Sequence, residues 1–264
     1  MRNKYYTSRD PIKNYFPLPN EVFALGLSPG ALAVYSYLMY IEDRTTYQCH
    51  ASYKTIGKAV NMSPNTVRKY VTELIERYQN LAPLAQPVEQ AIDAITDCYR
   101  KGGKVMLCGN GGSAADCAHI VGELMKGYLK KRPTKSADPV ISKLQQGLPA
   151  ISLCEASALI TAFCNDVDPE LIFAQQVYSL GRRGDVLIGI STSGGARNVA
   201  AAVHTARTMG ITVIGLTGRD GGQLAKNSDI CIIAPENETF KIQECHLPIY
   251  HAICGAVEEN FFKE

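Results

Sequence analysis

Long apolar runs are missing from this 264-residue chain. No uninterrupted stretch approaches the roughly 20 residues that a membrane-spanning helix needs, which excludes an integral helical membrane protein. The opening Met1-Arg2-Asn3-Lys4-Tyr5-Tyr6 has no apolar signal core. The expectation is a cytoplasmic protein with no membrane partner. Nine cysteines are present, but they are scattered, odd in number and contain no Cys-x-x-Cys pair, so a thiolate zinc site is not expected. Cys108, Cys154, Cys231 and Cys254 sit in apolar surroundings and read as reduced core thiols. There is no internal repeat and no low-complexity tract. Nucleotide signatures are absent as well: neither Gly-x-x-x-x-Gly-Lys-Ser/Thr nor Gly-x-Gly-x-x-Gly occurs at the loops described below.

What is there is the balance of a globular protein, 46% hydrophobic and 20% charged, long enough for two domains. The net charge of +2 is unevenly spread. Residues 1–80 hold ten Lys/Arg against six Asp/Glu, leaving 17 against 19 for the rest. A modestly basic N-terminal part fits a nucleic-acid partner without establishing one.

Ser28-Pro29 is a cap followed by proline at the first helical position, and Leu32, Tyr35, Leu38 and Met39 follow at helical spacing. A short helix is expected over Tyr53–Val60. Asn61-Met62-Ser63 makes a turn, and Pro64–Arg77 forms a second helix with Val67, Val71, Leu74 and Ile75 inward. Helix, three-residue turn, helix is the layout of a helix-turn-helix, whose second helix enters the major groove. Residues 53–77 resemble the helix-turn-helix of bacterial regulators and replication-associated proteins. Asn65, Thr66, Arg68 and Lys69 are then the candidate DNA contacts. The alternative is a small helical packing module with the same caps. A winged-helix-like all-α domain is expected over 1–80, and a second domain over 81–264.

From residue 81 the pattern alternates. Helices are expected over about 87–101, 113–127, 168–181, 196–209, 221–226 and 239–262. Strands are expected over 104–108, 149–154, 185–190, 211–216 and 229–234. Alternating units with continuous apolar strands imply a buried parallel sheet flanked by helices. Residues 129–148, with Lys130, Lys131, Arg132 and two prolines, read as a long polar loop, a length associated with lids and binding loops.

The first strand runs into Gly109-Asn110-Gly111-Gly112-Ser113 and a helix carrying His119 and Glu123. Glycines let backbone approach a ligand, and a helix start offers N–H groups and a positive dipole end. His119 and Glu123, four apart, share a helix face. Ser113 lies about 9 Å from His119 along the helix axis, a separation that suits a ligand with a phosphate at one end and reactive carbons at the other. A second such loop, Ser191-Thr192-Ser193-Gly194-Gly195, follows the strand 185–190. Each loop alone would pass for an ordinary capped turn. In an open parallel sheet both lie at the carboxyl ends of strands, where ligands bind. Near the end of the chain, Gln243 and His251 interrupt an apolar helix roughly 80° apart. Taken alone each reads as a core or interface residue, as does His246, and Pro248 is expected to kink the helix.

Together, Gly109–Asp116 with His119 and Glu123, Gly189–Gly194, Leu216-Thr217-Gly218, and Ile242-Gln243-Glu244 with His251 resemble a SIS (sugar isomerase) domain, and most closely its phosphoheptose (sedoheptulose-7-phosphate) isomerase group. The resemblance implies an α/β/α sandwich around a parallel sheet, a homotetramer and ketose–aldose isomerisation. By the same resemblance Asn110, Gly111, Gly112, Ser113, Ser191, Thr192 and Ser193 would hold phosphate. His119, Glu123, Gln243 and His251 would form a metal-binding and catalytic quartet for zinc, with Glu123 as base and His251 as acid, or the reverse. A carboxylate bound to metal is a poorer base, a tension the sequence leaves open. Ala196, Gly127, Phe240 and the long 129–148 loop depart from the group's pattern, and these changes bear on the sugar more than on its phosphate. The competing readings are a sugar-phosphate-sensing DNA-binding regulator and an interaction protein without chemistry.

Overall fold

The computed structural model describes residues 72–262, which lie within the unit Thr66–Glu264. After helical residues 72–77 and a 3-10 helix at Gln79–Leu84, helices and strands alternate. The order is α1 (Ala85–Arg100), β1 (Val105–Gly109), α2 (Gly112–Met125), β2 (Ala150–Ser152), α3 (Ser157–Asp166), α4 (Ile172–Leu180), β3 (Val186–Ile190), α5 (Arg197–Thr208), β4 (Thr212–Thr217), α6 (Gly222–Asn227), β5 (Ile230–Ile233) and α7 (Thr239–Phe261). The five strands form one parallel sheet in the order β2-β1-β3-β4-β5.

Alternation along the strands separates two apolar layers. Val105, Leu107, Ile188, Ile190, Ile214 and Leu216 face one side, against Val88, Ile92 and Ile95 of α1, Ile120 and Leu124 of α2, and Ile249, Ile253 and Val257 of α7. Met106, Cys108, Leu187 and Val213 face the other, against Phe173 and Val177 of α4 and Val199, Ala202, Val203 and Ala206 of α5. Every residue of β1 and β3 is buried, as a strand covered on both faces requires. Leu74 and Leu81 pack into the first layer.

The strand order decides where the loops meet. From β1 the chain passes outward to β2, then returns to β3 on β1's other side, which makes β1/β3 the switch point of the sheet. The two glycine-serine loops emerge from these neighbouring strands, whose ends pair as Gly109 with Ile190.

Three expectations change. A helix, α3, occupies 157–166, where none was expected. It has no side-chain cap and none of its residues is buried, so the core periodicity that reveals a helix in sequence is lacking. The strand expected over 149–154 is only three residues long. The 129–148 segment is not a purely polar loop. Pro133 and Gln145 pair as an antiparallel bridge, Leu129, Val140, Ile141 and Leu144 are exposed, and Arg132 is 1% exposed. Helix α7 continues through Pro248. The eight cysteines among the described residues are free.

Candidate active site

The first loop is shaped by glycine. Gly111 sits at φ +57°, and a Cβ on Gly112 would meet the Gln243 side chain at 2.4 Å. Ser113 is buried, and the N–H groups of Gly111 and Gly112 meet no acceptor among the described residues. In the second loop Gly194 has φ +65°, and a Cβ there would lie 2.0 Å from the Gly221 carbonyl, so only glycine closes this turn. Its N–H bonds to Ser191 O at 2.9 Å, while Ser193 Oγ accepts from Gly195 N at 3.2 Å. Thr192 and Ser193 N–H groups likewise have no acceptor among the described residues. Asn110 and Asn198 exchange two side-chain hydrogen bonds at 2.9 Å, tying one loop to the start of the helix after the other. Free N–H groups, hydroxyls and helix starts at the ends of two neighbouring strands are groups that can hold an anion.

A second group of residues lies along the seam between α2 and α7. Gln243 touches Gly112, Tyr250 meets Asp116 and His119, and Glu258 meets the chain just after α2. The contacts advance together along both helices, so α2 and α7 run in the same direction. His119 Nε2 stands 3.2 Å from Glu123 Oε1. The His251 ring packs on His119 at 5.1 Å between centroids and stacks on Tyr128 at 5.6 Å. Burial holds His251 below the usual imidazole value, helped by His119 and opposed by Glu123. A neutral ring there can pass a proton in either direction.

His119, Glu123 and His251 are therefore brought together. Gln243 is placed at the level of the first loop, two turns from His251. Among the described residues no three His, Cys, Asp or Glu side chains are gathered to hold a metal ion. The donor set of His119 and Glu123, nitrogen and oxygen at one helix face, fits zinc in its chemistry. Asn65, Thr66, Arg68 and Lys69 lie outside the described residues. His246 is fully buried, its Nε2 3.1 Å from Thr217 O and its Nδ1 unpaired, and burial lowers its pKa to about 4. It joins β4 to α7, a structural task.

Sequence reasoning missed Tyr250, Asp116 and the pair Arg132–Glu258. Glu258, fully buried, accepts from Arg132 Nε at 2.8 Å and from the N–H groups of Tyr128 and Leu129. Arg132 also donates to the carbonyls of Leu124 and Glu123, closing the last turn of α2. Burial raises the Glu258 pKa, but these hydrogen bonds and the guanidinium outweigh it and hold the carboxyl below the usual value. Lys130–Lys131–Arg132 reads in sequence as a solvated basic run. The partner that would have revealed Arg132 lies 126 residues away.

Residues 68–218 match the SIS domain family, and residues 25–77 a helix-turn-helix domain. A phosphoheptose isomerase from Roseiflexus is 36% identical over 210 residues, covering 78% of this chain and all of the relative. One from Burkholderia pseudomallei is 41% identical over 179 residues, covering 68% and 84%. Among solved structures, phosphoheptose isomerases from Neisseria gonorrhoeae and Francisella tularensis superpose with TM-scores of 0.58 and 0.60 at 36% and 32% identity. They cover 72% and 75% of this chain, and 97% and 99% of theirs. The chain thus belongs to the SIS domain family, in its phosphoheptose isomerase group, and carries a helix-turn-helix domain ahead of it.

Proposed function

We propose that this phosphosugar isomerase interconverts sedoheptulose 7-phosphate and glycero-manno-heptose 7-phosphate, or a closely related ketose–aldose pair. The observation that carries the reading is the emergence of two glycine-serine loops from neighbouring strand ends, with His119, Glu123 and His251 brought together further along the α2–α7 seam. Asn110, Gly111, Gly112, Ser113, Ser191, Thr192 and Ser193 hold the phosphate. With that end fixed, the chain's first two carbons reach the acid–base residues. Glu123 removes the proton from C1 of the ketose, giving an enediolate, and returns it at C2. His251 supplies a proton to the C2 oxygen and takes one from the C1 oxygen, so no proton is gained or lost. Zinc would polarise the carbonyl when bound, with His119, Glu123 and His251 as the ligands at hand and Gln243, at the level of the first loop, needing to swing toward them.

The test is turnover of C5–C7 ketose phosphates by the full chain, with metal analysis of the same preparation. Aldose formation from a heptulose phosphate supports the reading. No turnover of any of them, with zinc supplied, favours a sugar-phosphate sensor.

A homotetramer is part of the same reading. Leu159 and Val167 in and beside α3, and Val140 and Leu144 in the 129–148 segment, are large apolar side chains left exposed on the single chain. Light scattering at the tetramer mass supports it. A second reading concerns DNA, because residues 25–77 match a helix-turn-helix domain. Asn65, Thr66, Arg68 and Lys69 would face the duplex, with phosphate contacts making binding salt-dependent. Arg68→Ala with Lys69→Ala should weaken a gel shift at low salt, and no shift by the parent chain would return this region to a packing role. A cytoplasmic site of action accords with both readings.

A further inference from the structure

Beside the three residues already given roles, the buried Tyr250 of α7 bridges His119 and the half-buried Asp116, both on α2. Tyr250 Oη lies 2.9 Å from His119 Nδ1 and 3.4 Å from Asp116 Oδ1, and Tyr250 is 3% exposed. Asp116 Oδ2 is buried with no partner, so the Tyr250 hydroxyl is the donor available to this carboxylate. The other ring nitrogen, His119 Nε2, faces Glu123 Oε1 at 3.2 Å.

We propose that Asp116 and Tyr250 are positioning residues that fix the tautomer of His119, so that its Nε2 lone pair and the Glu123 carboxylate together form a seat for a divalent cation. The argument is a count of protons. A tyrosine hydroxyl has one proton to donate, and a carboxylate can only accept. Tyr250 gives its proton to Asp116, and its oxygen then accepts the proton on His119 Nδ1. A neutral imidazole protonated at Nδ1 has a lone pair at Nε2. That lone pair and a carboxylate oxygen 3.2 Å away repel one another unless positive charge lies between them. Orientation of a ligand histidine by a hydrogen bond to its second nitrogen is a general device, typically affecting metal affinity 10–100-fold. Here the device spans two helices. Asp116 and His119 share one face of α2, and Tyr250 reaches them from α7, one residue before His251.

The proposal rests on the isomerase-site reading for the role of the cation, but its test does not depend on turnover. The full chain is labelled with 15N-histidine, and the His119 ring signals are assigned by their loss in His119→Gln. Zinc chloride alone is the titrant for calorimetry. The expected result is the Nδ1–H tautomer in the parent protein. In Tyr250→Phe, which keeps the ring packing, the Nε2–H form should gain population and zinc affinity should fall about 10–100-fold. Asp116→Asn, which can aim an amide donor at the Tyr250 oxygen, should shift the tautomer in the same direction. Thermal melts identify folded variants, and either folded variant suffices. An Nε2–H tautomer in the parent protein overturns the proposal, as does an unchanged tautomer and zinc affinity in the folded variants. Absence of isomerase turnover with the expected tautomer and zinc loss would count against the activity and leave this assignment standing. Turnover with the opposite tautomer would do the reverse.

Discussion

The two ends of the proposed site are built from different materials. At the loop end the binding groups are backbone N–H groups and short hydroxyls, presented by glycine turns that follow two neighbouring strands. Along the α2–α7 seam they are long side chains, and His119, His251 and Glu258 each meet a partner from the other helix or from the segment after α2. The first design depends on φ angles and close backbone approach, so it is sensitive to a single methyl group. The second depends on buried polar pairings, so it is sensitive to the loss of one partner. The two ends should therefore fail in different ways.

The sharpest contrast is expected from Glu258→Ala. Arg132 and Glu258 are both fully buried, and removing the carboxylate leaves an unpaired guanidinium in the core. Breaking such a pair typically costs about 3–5 kcal/mol, to be read as a large fall in urea midpoint. A midpoint near that of the parent chain would show that the seam does not depend on this clamp.

Glu123→Gln separates the ends by function. Turnover should fall roughly 10²–10⁴-fold, the usual contribution of a general base. Inorganic phosphate, an occupant of the loop end alone, should bind as before by calorimetry. Full activity would remove Glu123 from its role, and lost phosphate binding would show that the two ends are not separable.

Acid tests how α7 is anchored to the sheet behind the seam. The folded pKa of His246 is about 4, below its ordinary 6.5, so the folded state binds fewer protons than the unfolded chain between these values. Its stability contribution is complete above about pH 6.5 and is lost as the pH falls toward 4. Between pH 7 and pH 5 the loss should be roughly 2 kcal/mol in urea titrations, and His246→Gln should flatten that dependence. An equally steep profile in the variant would place the acid sensitivity elsewhere.

At the loop end, Gly194→Ala forces a Cβ against the Gly221 carbonyl at φ +65°. The strain should cost about 1–3 kcal/mol and weaken phosphate binding while His119 stays next to Glu123. Unchanged phosphate affinity would mean that this turn is not part of the phosphate site. The smallest effect is expected from Asn198→Ala, which breaks an exposed two-bond tie between the loops, about 0.5–1 kcal/mol at most. A larger loss would show that the tie, rather than the glycines, sets the loop spacing.

Much of the loop end can be read from the chain itself. Four apolar residues, Val105–Cys108, followed by Gly-Asn-Gly-Gly-Ser have few ways to fold, because only a turn with positive φ and close approach uses those glycines. The i, i+4 spacing of His119 and Glu123 likewise places them on one face before any tertiary contact is known. The seam is less legible. Gln243, taken with His251 as part of one quartet, stands against Gly112, because the parallel run of α2 and α7 matches each residue of one helix to its own level on the other. Arg132, set in a basic run, has no local sign that it is buried. Tyr250 in an apolar stretch looks like any core aromatic until Asp116 and His119 are found beside its hydroxyl.

What the amino-acid order determined by itself is therefore local: alternating apolar strands and amphipathic helices, two glycine-serine turns, the shared face of His119 and Glu123, and the motif series that marks the family. Those features follow from backbone sterics and side-chain periodicity, which act over a few residues. The tertiary structure alone decided that the two turns meet at the β1/β3 switch point, that α7 lies along α2, and that Asp116, Tyr250, His119, Glu123 and His251 form one connected group. Such pairings join residues about 130 positions apart. They are set by how the helices cover the sheet and by the need of each buried polar atom for a partner, neither of which any short stretch of sequence contains.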